Sequence, residues 1–199
     1  MSRVTIAPVV EGHGEVKALP VLLRRIASDL GVYDLVIPQP NRVGRPILAT
    51  QAGIVNAVEQ AAYRVPDRGG VLVLFDADDD CPVQLVSSLL APARDIRQDK
   101  AISLVVANRE FEAWFLAAAS SLVGQCGLPQ DFVAPEDPEN KRDAKGWISQ
   151  AMKRASNHPY APPVDQPKLA AVFDMALARA NSRSFDKFWR EVEGLIKGT

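Results

Sequence analysis

The chain is predicted to be an α/β protein, with a four-stranded, mostly parallel sheet flanked by helices and a C-terminal helical extension. Three observations predict it. Two largely apolar runs, Val4–Val10 and Val71–Phe75, have the character of strands buried on both faces. Apolar residues at helical spacing separate such runs, so strands and helices alternate across residues 4–107. Beyond Ala107 no further strand is convincing and the pattern turns helical. Residues 1–107 are therefore read as an α/β domain, and 108–199 as a helical extension packed on it.

Residues 4–10 are the first strand. Gly12 and Gly14 allow a tight turn, and Glu15 opens a helix to about Leu30, with Val16, Leu19, Leu22, Leu23, Ile26 and Leu30 along one side. Gly31 ends that helix. Residues 32–37 form a short second strand stopped by Pro38, and QPNRVGRP is a loop. A second helix starts at Ile47 or Thr50 and runs to Tyr63, closed by Pro66 and Gly69. Residues 70–75 are the third strand. Pro82 sits in the first turn of a helix to about Ile96, and 101–106 are the fourth strand. Right-handed crossovers make the sheet mostly parallel. A helix is expected from Arg109 or Glu110 to about Leu122, then an irregular stretch over 124–143. Helices follow at 144–156, 166–180 and 184–197. Asp165 is placed to cap the second of these, with Pro167 in its first turn, and Ser184 the third.

Composition narrows the function classes. The 199 residues suffice for one sizeable core, and 47 % are apolar, an ordinary globular value. A formal net charge of -1 gives no general attraction for nucleic acid. A phosphate-bearing substrate would need a local patch, a metal or a partner. Cys81 and Cys126 form no CxxC and no zinc spacing, which fits free thiols in a reducing compartment. His13 and His158 are too few for a histidine-built metal site. No leader pattern and no stretch of membrane-spanning length stand out, so a cytoplasmic protein without a membrane role is expected.

The chemistry concentrates in acids at the ends of the two apolar runs. Glu11 follows the first strand in VTIAPVVEGHGE, and Asp76, Asp78, Asp79 and Asp80 follow the third in VLVLFDADDD. Ligands of open α/β sheets sit beyond the carboxyl ends of the strands, so Glu11, Asp76, Asp78 and Asp80 converge there. Four carboxylates in five residues repel one another without a cation. In an extended stretch Asp76, Asp78 and Asp80 point one way; Asp79 or Asp80 is also placed to cap the next helix. Hard oxygen donors suit Mg²⁺ or Mn²⁺. The bland alternative for Glu11 is a solvated glutamate among turn glycines. Glu15 is weaker still, because an acid in a first helical turn is favourable anyway. GHG lacks the spacing of a nucleotide-binding loop. Trp114 and Phe115 read as core residues anchoring the helical lobe, not as a base-stacking platform.

An EG pair before a helix, followed by an apolar strand ending in DxD, resembles the Toprim domain of topoisomerases, DnaG-type primases and OLD-family nucleases. That likeness covers residues 4–107, so the fold it implies is a Toprim-like sheet. NREFEAWFLA after the fourth strand, Lys168 and SFDKFWREV near the end resemble the DUF4276 family, a bacterial Toprim-like group of unassigned function, across nearly the whole chain. The resemblance implies that Glu11 binds metal or transfers protons, and that Asp76 and Asp78 hold the cation with help from Asp80. No tyrosine has the context of a topoisomerase nucleophile; Tyr33, Tyr63 and Tyr160 stand in nothing distinctive. A nuclease using metal-activated water fits better. OLD-like nucleases add an acid after the fourth strand, which points to Glu110, with Glu112 close behind. Two apart on a helix, the two do not share a face.

Positive charge for a phosphate would come from Arg42, Arg45, Arg109, Lys141, Arg142, Lys145 or Lys168. Arg109 and Lys168 gain from the resemblance, and most of the others are ordinary solvated surface. The leading expectation is a metal-dependent phosphodiester hydrolase acting on DNA or RNA. It would use Glu11, Asp76, Asp78 and Glu110 around Mg²⁺ or Mn²⁺. The resemblance also implies a separately encoded ATPase of the ABC or AAA type, in a setting of phage defence, and leaves room for a homo-oligomer. The alternatives are a phosphotransfer enzyme on a small phosphorylated molecule and a non-enzymatic regulatory subunit with a vestigial site.

Overall fold

The computed structural model describes residues 3–198. Four strands form one sheet in the order β2–β1–β3–β4, all neighbours parallel: β1 (Val4–Val10), β2 (Asn41–Arg42), β3 (Arg68–Asp76) and β4 (Ala101–Ala107). Between and after them lie α1 (Glu15–Asp29), α2 (Arg45–Leu48), α3 (Gln51–Ala62), α4 (Pro82–Asp95), α5 (Ala113–Ala117), α6 (Ala144–Ser156), α7 (Pro162–Val172), α8 (Met175–Asn181) and α9 (Arg183–Lys197). The α/β class, the parallel sheet and the helical extension are as predicted. Among the described residues no helix is long and apolar enough to cross a membrane.

β1, β3 and β4 are largely apolar because helices cover both faces of the sheet. Val4, Ile6 and Val10, with Leu72, Leu74 and Val105, face α1, α5, α7 and α9. Ala7, Val9, Val71, Val73, Phe75, Ile102 and Leu104 face α3 and α4. The alternation along each strand follows from its period of two. The first cluster continues into the extension, where Phe111, Trp114, Phe115, Phe173, Phe185 and Phe188 pack edge-on or tilted around one another, with Trp114 and Phe188 stacked. Trp114 is fully buried and donates its indole N–H to Ser184 Oγ at 2.8 Å, in keeping with a core role. Gly70 lets the sheet approach α9: a Cβ there would stand 2.2 Å from the Ala101 carbonyl and 2.7 Å from Leu195.

The strand predicted over 32–37 does not form. Val36 makes a single bridge to Thr5, and regular pairing resumes only at Asn41–Arg42. Pro8 accounts for the gap. The Ile6 amide donates to the Val36 carbonyl, so the residue two further on faces the same neighbour, and Pro8 has no N–H to give. The helix predicted from Arg109 or Glu110 to Leu122 is broken into α5 and a 3₁₀ turn at Ala119–Leu122. The one predicted over 166–180 begins earlier, at Pro162, and is divided at Phe173 and Asp174, where Asp174 caps α8. Asp165 lies inside α7 and accepts from the Ala161 amide, and Ser182, not Ser184, caps α9. Cys81 occupies the N-cap of α4 without a side-chain bond, so neither Asp79 nor Asp80 caps it.

Candidate active site

β1 and β3 are adjacent, with Val10 level with Leu74, so the residues that follow them meet at one sheet end. Glu11 reaches across: its Oε2 accepts from the Asp76 amide at 3.1 Å. Burial pushes the Glu11 carboxyl above its usual range; the Asp76 amide opposes this, and the charges of Asp78 and Glu15 add to it. Asp76 is itself buried at the last position of β3, and its Oδ1 accepts from the Phe111 amide at 2.8 Å. Burial, then the charges of Glu112 and Glu15, hold Asp76 well above the ordinary carboxylate range.

Two further carboxylates join from below. Glu15, in the first turn of α1, is buried and accepts from Gln166 Nε2 at 3.1 Å. Glu112 is fully buried, and its Oε1 accepts from Tyr160 Oη at 3.0 Å and Gln166 Nε2 at 3.4 Å. Burial pushes Glu112 up to about 7, with Lys145 opposing and Glu15 adding. Lys145 Nζ lies 3.6 Å from Glu112 Oε2. Burial works against that ammonium, yet Glu112, Asp76, Glu110 and Glu15 hold its pKa above the usual value. Burial and the Glu112 charge push the Tyr160 phenol far above its ordinary range, in keeping with its place as a neutral donor to Glu112.

The rest of the acidic run forms an exposed outer layer. Asp78 has a left-handed φ of 51°, so the stretch is a turn and the alternation expected of an extended chain is lost. Arg45 holds this turn. Its guanidinium donates to the Asp76 and Ala77 carbonyls at 3.0 and 2.8 Å, and it pairs with Asp78 at 3.1 Å and with Asp80. Asp79 pairs with Arg109 at 3.1 Å and Arg142 at 2.9 Å. The repulsion expected among these acids is thus relieved in part by three arginines.

Of the two acids after β4, Glu112 is the one buried beside Asp76. Glu110 lines an open cleft with Asp78, Asp79, Arg109, Arg142 and Asp143, and its Oε2 accepts from the Lys145 amide at the start of α6. Arg42 is exposed on β2 level with Val10, at the same sheet end. Lys141 lies 4.7 Å over the Trp147 ring, and Lys168 pairs with Asp165 at 2.9 Å beside a separate cleft that holds Cys126 and His158.

Glu15, Tyr160 and Gln166 were not distinguished by sequence. Glu15 offered one signal, its place four residues after Glu11, which a helix-end role equally explains. Tyr160 and Gln166 offered none, because their approach to Glu112 and Glu15 depends on how α7 and the loop before it pack against α1.

Among the described residues no group of three or more His, Cys, Asp and Glu side chains is disposed to hold a metal ion. The donor set nonetheless suits a hard cation. Every acid here offers oxygen, and Glu15 Oε2, Glu112 Oε2 and Gln166 Oε1 are buried without a hydrogen-bond partner. Residues 10–193 match the family model described as a domain of unknown function, DUF4276, and the chain belongs to that family. Among solved structures, the C-terminal region of the Burkholderia pseudomallei OLD protein is similar at 13 % identity, over 98 % of this chain and 100 % of that one, with a TM-score of 0.44. A likeness at that level assigns no role to any residue. No curated protein matches.

Proposed function

We propose that the protein is a divalent-metal-dependent phosphodiester hydrolase acting on DNA or RNA. One observation carries the reading: Glu11, Glu15, Asp76 and Glu112 gather at the carboxyl ends of the adjacent central strands, with oxygens of Glu15 and Glu112 buried without a hydrogen bond. Acids packed this way raise one another's proton affinity unless a cation offsets them. Glu11, Asp76, Asp78 and Glu112, joined by Glu15, would hold Mg²⁺ or Mn²⁺, with Asp80 and Glu110 at the outer rim. When bound, the ion lowers the pKa of water and offsets charge on the phosphate oxygens.

The chain's own groups do the rest. Glu11 is half-buried, less enclosed than Asp76, Glu15 and Glu112, so it is the acid suited to take a proton from an attacking water. Arg42, exposed at the same sheet end, is the cation best placed to meet a backbone phosphate. Arg109, Lys141 and Lys168 each have an intramolecular partner and would have to exchange it for phosphate. The net charge of -1 supports a second protein that helps retain the nucleic acid, and an ATPase of the ABC or AAA type, as in phage defence, fits that need.

The test is cleavage of single-stranded DNA, duplex DNA and RNA by the full chain, alone and with a co-expressed ABC- or AAA-type ATPase, in Mn²⁺ and in EDTA. Cleavage with Mn²⁺ that EDTA stops and Glu11→Ala loses is the expected result. Equal rates for Glu11→Ala and the parent would remove Glu11 from the chemistry. The engagement of Asp78 and Asp80 by Arg45 favours a second reading, a regulatory subunit that binds metal without turnover. Metal binding with no cleavage of any substrate by the complete complex selects that one.

A further inference from the structure

We propose that Gln166 and Tyr160 are positioning residues of this site: they pin one oxygen each of Glu15 and Glu112 and leave the other free of hydrogen bonds for a divalent cation, which at Glu112 would share that oxygen with Lys145. The inference rests on the metal-binding reading above. Gln166 is fully buried on α7, and its Nε2 is shared between Glu15 Oε1 at 3.1 Å and Glu112 Oε1 at 3.4 Å. Tyr160 Oη donates to that same Glu112 Oε1 at 3.0 Å. The three donated bonds thus fall on two oxygens. The opposite oxygens, Glu15 Oε2 and Glu112 Oε2, are buried without a hydrogen-bond partner, and Lys145 Nζ stands 3.6 Å from the latter as an ion pair.

The direction of the Gln166 amide is fixed. Its oxygen lies against Gly14, where a Cβ would stand 1.9 Å away, so only a glycine admits it. Reversing the amide would turn its oxygen onto two carboxylate oxygens. The amide and the phenol are neutral donors. They orient the two acids without neutralising them, so the charge that Lys145, 3.6 Å from Glu112 Oε2, does not offset remains for the cation. Partners of this kind tune a metal site through the geometry of its ligands. They come from α7 and the loop before it, so the helical extension completes a site whose other acids follow the sheet strands.

The test is calorimetric titration of the full chain with Mn²⁺, alongside thermal melting without metal, for the parent, Gln166→Met and Tyr160→Phe. Both substitutions keep side-chain bulk and remove the donor. The expected result is micromolar-to-millimolar binding by the parent, weakened roughly 10–100-fold in each variant. A packing role would instead lower the metal-free melting temperature and leave the dissociation constant unchanged; that outcome overturns the proposal while the metal reading stands. A parent that binds no Mn²⁺ at millimolar concentration overturns both. If Gln166→Met does not fold, Tyr160→Phe decides alone, since the ring remains and only the hydroxyl is lost.

Discussion

The backbone amide of Asp76 donates to Glu11 Oε2 at 3.1 Å, so the carboxylate that follows β1 is anchored to the backbone of β3. The Asp76 carboxylate, in turn, is anchored to the Phe111 amide beyond β4. Three neighbouring strands are thus tied together at their carboxyl ends by the acids themselves. Each amide stabilises a negative charge that burial opposes, and the adjacency of β1 and β3 makes both contacts geometrically available.

Asp76→Asn and Asp76→Ala are expected to act in opposite directions on metal-free stability. Asparagine keeps an oxygen for the Phe111 amide and removes a buried charge beside Glu112, Glu15 and Glu11, so the melting temperature should rise. Alanine strands that amide and should cost about 1–3 kcal/mol. Both should abolish any Mn²⁺-dependent rise. Thermal melts of the two variants with and without Mn²⁺ check this; a fall in metal-free stability for Asp76→Asn would contradict the placement of charge.

Stability of the metal-free protein should decline as pH rises through the range where Glu112 titrates. Its ordinary value is 4.5, and burial lifts it to about 7 in the fold. Between those values the folded chain binds more protons than the unfolded one, so unfolding free energy falls with rising pH. Glu11 and Asp76 are raised too and act in the same sense. Asp99 is lowered to about 2 by Arg97, so its stabilising contribution is lost only in stronger acid, outside this window. Chemical denaturation at several pH values should show the decline, and Glu112→Gln should flatten it.

The sheet was legible because its strands are buried on both faces and so read as apolar runs. Val71–Phe75 leads into Asp76 in sequence as it does in space. The segment at 32–37 misled because its own residues suit a strand, and the obstacle, Pro8, lies on the partner. The outer acids were visible as a run, but Arg45 as their partner was not. Two parallel strands bring it there from 31 or more positions away. Which of Glu110 and Glu112 is buried was not legible, because the chain turns after Asn108, where Arg109 has a φ of 61°. Gln166 lies on α7 and Tyr160 in the loop before it, and the register of α7 against α1 leaves no local trace.

The irregular stretch before α6 is expected to be held through Glu139. Its carboxylate accepts from the amides of Arg183 and Ser184 at 3.0 Å each, and from Ser182 Oγ at 2.7 Å and Ser184 Oγ. These are groups at the start of α9, where a negative charge is favourable. Glu139→Ala should cost about 1–3 kcal/mol and loosen the preceding loop. Denaturant unfolding gives the first quantity. Faster proteolysis within 124–143 gives the second, and unchanged cleavage there would show that the loop is held elsewhere.

Arg45→Met is expected to lower stability without metal and to enlarge the gain from Mn²⁺. The guanidinium is largely buried and ties two carbonyls and two carboxylates of the Asp76–Asp80 turn. Bonds of this charge-assisted kind contribute about 1.5–3 kcal/mol in total when the group is partly screened. Methionine keeps the stem's packing and removes the charge, which leaves Asp78 and Asp80 without their cation. Their repulsion, together with that from Glu11, then has no internal relief, and an external divalent ion supplies it. The Mn²⁺-induced rise in melting temperature should therefore exceed that of the parent. Arg45 and the metal act as alternatives on this account. A smaller rise in the variant would mean that Arg45 helps build the cation site, and that its hold on Asp78 presents the carboxylate to the ion.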